Sequence, residues 1–515
     1  MSDKSGTKEQ LRPIMFAGTG SDVGKSVIAS AFCRIFLQDG YNPAPFKAQN
    51  MSLNSYATPE GFEIGRAQAV QAEAAGIACH TDMNPILLKP SGDRVCQVVL
   101  NGKPAGNRDA YDYFKKEGRE ILRGEVNAAF DRLRRRYSPI VMEGAGSIAE
   151  INLRETDLVN MPMALHAGAS VVLVADIDRG GVFASVYGSL MLLDATERKH
   201  VKGIIINKFR GDIRLFESGV EMLETLCGIP VIGVIPYFRD IHIEEEDSVA
   251  LGAKNRGGTR GKVNVAAVLL RHLSNFTDFN VLERDPRVHL YYTNNTDELE
   301  KADIIVIPGT KNTLSDLHEL RRNGVARSIV AARRAGATVI GICGGYQMMG
   351  LEVRDPERIE GDAELLPGLG LLPVVTVIGR EKLTRQVRFS FLDSQSQCAG
   401  YEIHMGTTSP ADGAAFSRFS PLNRLDDGTF DGCFIDERCF GTYIHGILDN
   451  AAVVDYLLSS CRNGATNNAT DNAINGTTDN RPFDYATFRE EQYDKLAAHV
   501  RKHVNMNLIY KMIKP

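Results

Sequence analysis

The sequence lacks paired cysteines, a long apolar run and an excess of one charge, and each absence removes a class of function. Nine cysteines, at positions 33, 79, 96, 227, 343, 398, 433, 439 and 461, form an odd set with no Cys-x-x-Cys spacing. That argues against a disulfide framework and against a structural zinc site. No apolar stretch approaches the roughly 18–20 residues of a membrane span, and the opening MSDKSGTKEQLRP is polar rather than an export signal. Unpaired thiols without an export signal make the cytoplasm the expected compartment. Fifty-nine basic against 64 acidic residues leave a net charge of −5. Without a broad positive footprint, nucleic acid is a poor candidate partner, and no membrane association is expected.

What is present is length and alternation. At 515 residues the chain exceeds the roughly 250–300 residues that one core supports, so two or three domains are expected. Short β-branched runs alternate with helix-like stretches: Pro13–Ala17, Pro139–Met142, Ser170–Ala175, Gly203–Ile206 and Val231–Ile235, then Val263–Leu270, Asp303–Ile307 and Ala337–Ile342. Nearly continuous apolar strands bounded by Gly or polar residues read as strands buried on both faces of a parallel sheet. The expected fold class is therefore α/β, with two doubly wound domains. The charged, Gly-rich stretch 241–262 reads as a linker between residues 1–240 and 263–515. Arg462–Asn480, rich in Asn, Thr and Gly, has too few apolar residues to offset its ordering entropy and reads as a disordered insertion.

Strand Pro13–Ala17 runs into Gly18-Thr19-Gly20-Ser-Asp-Val-Gly24-Lys25-Ser26 and then a helix-like stretch. A Gly-rich turn there aims backbone N–H groups and a helix dipole at phosphates, Lys25 adds charge, and the Ser26 hydroxyl is suited to Mg²⁺. The first Gly lies one residue earlier than in the common phosphate loop, a variant seen in dethiobiotin synthetase-like ligases and partition-type ATPases. Glu143, ending the strand before Gly144-Ala-Gly146, is a second metal candidate, or else a cap for the following turn. Asp176, Asp178 and Asn207 end neighbouring strands. The Asn207 amide has the donor and acceptor needed to read adenine, but polar strand termini explain all three equally well. The polar run Phe46–Asn54, with Lys47 at its start, fits a substrate or phosphate wall or an ordinary loop.

In the second half, strand Ala337–Ile342 runs into Cys343-Gly344-Gly345. A nucleophile on a tight strand-to-helix turn needs small neighbours so that the strained backbone fits and nearby N–H groups face the oxyanion. Gly341, Gly344 and Gly345 supply that freedom, and the helix N-terminus lowers a thiol pKa. The other eight cysteines read as small core residues. His445, Gly-flanked at the end of a β-rich run, is preferred over His404 as the base, and Gly309 is a candidate oxyanion donor.

Together Phe46–Ser55 (FKAQNMSLNS), Met142–Leu153 (MEGAGSIAEINL), Asp176–Ser185 (DIDRGGVFAS), Ile206–Asp212 (INKFRGD), Pro308–Thr313 (PGTKNT), Gly341–Gln347 (GICGGYQ), Tyr401–Gly406 (YEIHMG) and Gly441–Gly446 (GTYIHG) resemble the glutamine amidotransferases of corrin biosynthesis. The resemblance implies a P-loop, dethiobiotin synthetase-like ligase domain joined to a class I glutaminase domain. It implies ATP- and glutamine-dependent amidation of the b, d, e and g carboxylates of adenosylcobyrinic acid a,c-diamide, with ATP and Mg²⁺ as cofactors. The nearest rival is the sibling enzyme that amidates the a and c carboxylates of cobyrinic acid. A rival of another class is a partition-type switch ATPase carrying an inactive amidotransferase domain. Class I glutaminases place Glu two residues after the catalytic His, but Ile447 stands there. A Cys343–His445 dyad is therefore the expectation.

Overall fold

In the computed structural model the described residues are 9–90, 95–109, 113, 118–244, 257–259, 262–361, 363–392, 394–411, 419–462 and 483–515. Residues 245–256 and 260–261 of the expected linker and residues 463–480 of the expected insertion lie outside them.

The N-terminal half is built on a six-stranded sheet. Its order across the sheet is Val231–Pro236, Val201–Phe209, Ser170–Asp176, Ile14–Gly18, Ile140–Glu143 and Ala44–Phe46, with every neighbour parallel. Strands Ile14–Gly18 and Ser170–Asp176 are buried along their whole length. That burial explains their unbroken apolar character, since helices cover both faces. The chain leaves the central strand toward one edge and later returns to its other side, so the C-terminal end of Ile14–Gly18 opens into the crevice where α/β sheets bind ligands. A second sheet repeats the plan: Val288–Thr293, Val263–Val268, Ile304–Ile307, Thr338–Ile342 and Cys439–Thr442 are parallel, with Cys433–Asp436 antiparallel at one edge.

Beyond these lies a long antiparallel pair, Val374–Phe391 and Gln397–Pro410, which was not anticipated. It reaches back to the N-terminal half. Gln386 Nε2 donates to the Ala57 carbonyl at 2.9 Å, and the Tyr56 and Tyr401 rings stand 4.6 Å apart. Ile241–Glu244, at the start of the expected linker, is packed too: the buried Arg66 donates from Nε to Glu244 Oε2 at 2.6 Å.

One boundary needs correction. Tyr485 and Phe488 still pack on the second core, but residues 493–513 belong with the first sheet. Helix Tyr485–His503 buries Tyr493, Leu496, Ala497 and Val500, and helix Met506–Ile513 buries Ile509 and Ile513, in the core that also holds Phe32, Phe36 and Ile14. Arg34 Nε reaches Asp494 Oδ1 at 2.7 Å, and the Arg12 N–H donates to the Ile513 carbonyl at 2.7 Å. An apolar helix face docks where a matching apolar face is open, whatever its sequence distance. Among the described residues no helix is long and apolar enough to cross a membrane.

Candidate functional site

Two sites form at the ends of the two sheets. In the first, Gly18 ends the central strand and Thr19 stays tied to it, its N–H donating to the Val174 carbonyl at 3.0 Å. Gly24 has φ of 96°, and a Cβ there would lie 2.3 Å from Asn207 Nδ2, so both conformation and space demand glycine. Helix Lys25–Gln38 starts immediately after it. Lys25 folds back over the loop, its Nζ donating to Gly20 O at 2.7 Å and Gly146 O at 2.9 Å. Asn207 braces the loop from the neighbouring strand, Nδ2 donating to the Val23 carbonyl at 2.8 Å.

Glu143 meets this loop. Its Oε1 accepts from Ser26 Oγ at 2.8 Å and from Lys47 Nζ at 2.8 Å, and its Oε2 accepts from Gln71 Nε2 at 2.7 Å. Burial opposes its ionisation, but Lys47, Gln71 and Ser26 outweigh that and hold its pKa below the ordinary value. Gly18, Thr19, Gly20, Gly24, Lys25, Ser26, Lys47, Glu143 and Asn207 thus converge. Asp176 and Asp178 stand beside them in ion pairs, Asp176 with Lys208 at 3.0 Å and Asp178 with Arg210 at 2.7 Å. A cavity of about 320 Å³ adjoins the loop, lined in part by Gln49, Arg119, Gly146, Ser147, Ile151 and Leu192.

In the second site, four neighbouring strands deliver one group each. Cys343 follows Thr338–Ile342 with φ of 54° and ψ of −111°, a strained position for a non-glycine residue. The strain is held by close backbone approach: a Cβ on Gly345 would lie 1.9 Å from the Ile307 carbonyl oxygen, and one on Gly344 would lie 2.6 Å from Thr310 Cγ2. Gly309, ending the next strand, lies against the His445 ring, where a Cβ would come 2.9 Å from Cε1. His445 follows Cys439–Thr442 on the other side and is within hydrogen-bonding reach of Cys343.

The dyad expectation is corrected here. His445 Nδ1 bonds Asp278 Oδ2 at 2.7 Å, and the Gly446 N–H donates to Asp278 Oδ1 at 2.8 Å. The acid comes from the helical turn Phe276–Phe279 after strand Val263–Val268, three strands along the sheet from Cys439–Thr442, and not from position 447. Burial lowers the His445 pKa, but Asp278 and the Cys343 sulfur outweigh it and push it up to about 10. His404 is held in other contacts. Its ring stacks on Tyr443 with centroids 3.7 Å apart, its Nδ1 meets the Gly406 carbonyl at 3.1 Å, and burial lowers its pKa to about 4.

Residues 264–453 match the family described as the CobB/CobQ-like glutamine amidotransferase domain. Residues 14–249 match the CobQ/CobB/MinD/ParA nucleotide binding domain. The cobyric acid synthase of Bacteroides fragilis is 70% identical over 505 residues, covering 98% of this chain and 99% of that protein. The chain belongs to the cobyric acid synthase family. Members from Phocaeicola vulgatus, 67% identical over 506 residues, and Salmonella agona, 46% identical over 513, each cover 97–98% of this chain and 98–99% of their own. The family carries a nucleotide-binding and an amidotransferase domain on one chain, in the order seen here.

The sequence offered no motif for Asp278, nor for a buried cluster where the domains meet. There Glu63 is paired with Lys89 at 2.7 Å and with Lys382 of the long strand pair. Burial disfavours a charged lysine, and Lys382 falls to about 8 despite Glu63. An unbroken apolar strand with a buried Lys at its end, as in Ile86–Pro90, was the one available signal.

Proposed function

We propose that the protein amidates the b, d, e and g side-chain carboxylates of adenosylcobyrinic acid a,c-diamide, using ATP and glutamine, in the cytoplasm. The observation that carries this reading is one chain holding both a phosphate loop beside Ser26–Glu143 and a strained thiol beside His445 and Asp278. An inactive amidotransferase domain would have no reason to retain the second set.

Cys343 Sγ attacks the glutamine amide carbon. The His445 imidazolium, oriented through Nδ1 by Asp278, gives its proton to the departing nitrogen, leaving a glutamyl thioester and ammonia. Water then releases glutamate. At the other site the phosphate loop and Lys25 orient ATP, and the corrinoid carboxylate takes the terminal phosphoryl group with loss of ADP. Ammonia attacks the resulting acyl phosphate and expels inorganic phosphate, giving the amide. The cavity beside Gly146 and Ser147, lined in part by Arg119, is suited to a side-chain carboxylate of the acceptor. The hard oxygens of Ser26 and Glu143 fit Mg²⁺, which when bound would neutralise phosphate charge. Ammonia crosses between the sites under cover of the Ala57, Tyr401 and Ile403 contact and the Glu63 cluster.

Incubation with ATP, Mg²⁺, glutamine and adenosylcobyrinic acid a,c-diamide is expected to yield successive replacements of OH by NH₂ on the corrinoid, read by mass. Amidation of cobyrinic acid but not of its a,c-diamide would assign the sibling reaction instead. A second expectation concerns pH. The His445 imidazolium is the proton donor, so glutamine hydrolysis should fall only as pH rises through about 10. Asp278→Asn removes the charge that raises this pKa. The alkaline limb of kcat/KM should then move to lower pH, with a loss on the order of 10²-fold near neutrality. An unmoved limb would remove Asp278 from this role.

A further inference from the structure

The loop after strand Ile304–Ile307 is wrapped around the thiol. Thr310 packs on Gly344, where a Cβ would lie 2.6 Å from Thr310 Cγ2, and Thr313 Oγ1 donates at 2.8 Å to Gln347 Oε1 in the helix that Cys343 opens. Lys311 stands between these two anchors. Its N–H donates to the His272 carbonyl at 3.0 Å, and its side chain is partly buried and within electrostatic reach of Cys343. Among the described residues its ammonium has no hydrogen bond and no ion pair. The neighbouring lysines differ, since Lys89 and Lys382 are both held by Glu63.

Glu360 belongs to the same surroundings. Asn312 Nδ2 donates to its carbonyl at 2.9 Å, and its Oε2 accepts from the Thr313 N–H at 2.6 Å and the Leu314 N–H at 3.2 Å, so the carboxylate is fixed at the start of helix Thr313–Arg322. Lys311 and Glu360 feel each other's charge without closing to an ion pair. Burial and the charge on Lys89 hold the Lys311 pKa below the ordinary value, and burial raises that of Glu360 to about 7 against the pull of Lys311. Charges taken out of water are costly unless an opposite charge meets them. A cation and a carboxylate kept apart beside a nucleophile suit a ligand that carries both signs close to the bond to be broken.

Glutamine is such a ligand. With its side-chain amide at Cys343, its α-carboxylate and α-ammonium lie together at the other end of a short flexible arm. We propose that Lys311 receives the α-carboxylate of glutamine and Glu360 the α-ammonium, selecting the free amino acid and setting how far its amide reaches toward Cys343. The inference deepens the glutaminase half of the function proposed above and rests on it. Hydrogen bonds between full charges are the stronger kind, and both residues sit on backbone that is held by its own hydrogen bonds. The competing partner for the Lys311 cation is the Cys343 sulfur, and the two assignments differ in what loss of the cation does to the thiol.

The test compares three amides with the full-length enzyme under complete amidation conditions, each read as the carboxylic acid it releases. Against glutamine, 4-aminobutanamide lacks the α-carboxylate and 4-carbamoylbutanoate lacks the α-ammonium. The parent should use either analogue with kcat/KM lower by on the order of 10²-fold. Lys311→Met should lose about that factor on glutamine, chiefly through KM, and little on 4-aminobutanamide, so that its preference between the two collapses. Glu360→Gln, which keeps an acceptor for the helix N–H groups, should do the same for glutamine against 4-carbamoylbutanoate. Lys311→Arg should recover part of the glutamine preference, and Cys343 of Lys311→Met should be alkylated by iodoacetamide at the parent rate, read by mass at that residue. Equal loss on all three amides, the result of a merely structural role, overturns the proposal. So does a fall in alkylation that tracks the loss, which gives the cation to the sulfur. A parent that hydrolyses glutamine without preferring it to the analogues overturns the charge pair alone. A parent that releases no glutamate overturns the glutaminase reading on which it rests.

Discussion

Cys343→Ser is expected to lower glutamine-dependent amidation by on the order of 10⁴-fold or more, while amidation supported by added ammonium stays at the parent level. The hydroxyl is a far weaker nucleophile than the sulfur that it replaces beside His445. Serine also fits the elbow: the position is set by the glycines around it, and its backbone strain is unaffected by replacing sulfur with oxygen. The phosphate loop, Glu143 and Lys47 lie on the other sheet and are untouched. The check is a pair of rates on one preparation, one with glutamine and one with ammonium. Equal loss of both would mean that the two sites do not divide the work as proposed.

Lys25→Ala should give the complementary result. Amidation should fall on the order of 10³-fold with either nitrogen source, since the ammonium group is the loop's one side-chain cation aimed at phosphate and such charge stabilisation is among the larger catalytic terms. Unstimulated glutamine hydrolysis should persist. Lys25 also donates to Gly20 and Gly146, so part of the loss reflects a loosened loop. Lys25→Arg separates the effects: it restores charge and donors but not the compact fit against Gly18, where a Cβ would already lie 2.8 Å from Nζ. Substantial ammonium-dependent amidation in Lys25→Ala would remove this loop from the ligase chemistry.

Features written in local backbone chemistry were legible before the structure. Apolar strands ending in glycine announced both sheets, and the loop from Gly18 to Ser26 and the elbow at Cys343 each carry their geometry in adjacent residues. Glu143 and Lys47 were singled out from their places after strands, although their mutual contact was not legible. Asp278 was out of reach for a different reason. Its partner His445 is brought to it by the order of strands in the sheet, and an ordinary Asp in a short turn has no spacing to mark it. The Glu63, Lys89 and Lys382 cluster is invisible for the same reason, since its members come from both domains. The long strand pair was missed because the middle of Val374–Phe391, residues 379–386, has no fully buried position and breaks the alternation that its two ends show.

The last two helices bear on how the chain is made. The surface of helix Lys25–Gln38 that receives Tyr493, Leu496 and Val500 is synthesised well before its cover, with the amidotransferase half in between. At about 5–20 residues per second on the ribosome, that interval is roughly 25–90 s. During it, Phe36 and Tyr41 wait for Tyr510, whose ring later sits 5.9 Å and 6.0 Å from theirs. The nucleotide-binding half is thus begun before the amidotransferase half and finished after it. The amidotransferase half, held between its two parts, can fold while its neighbour is still open. A chain cut between the two sheets would leave the first piece without its own outer wall.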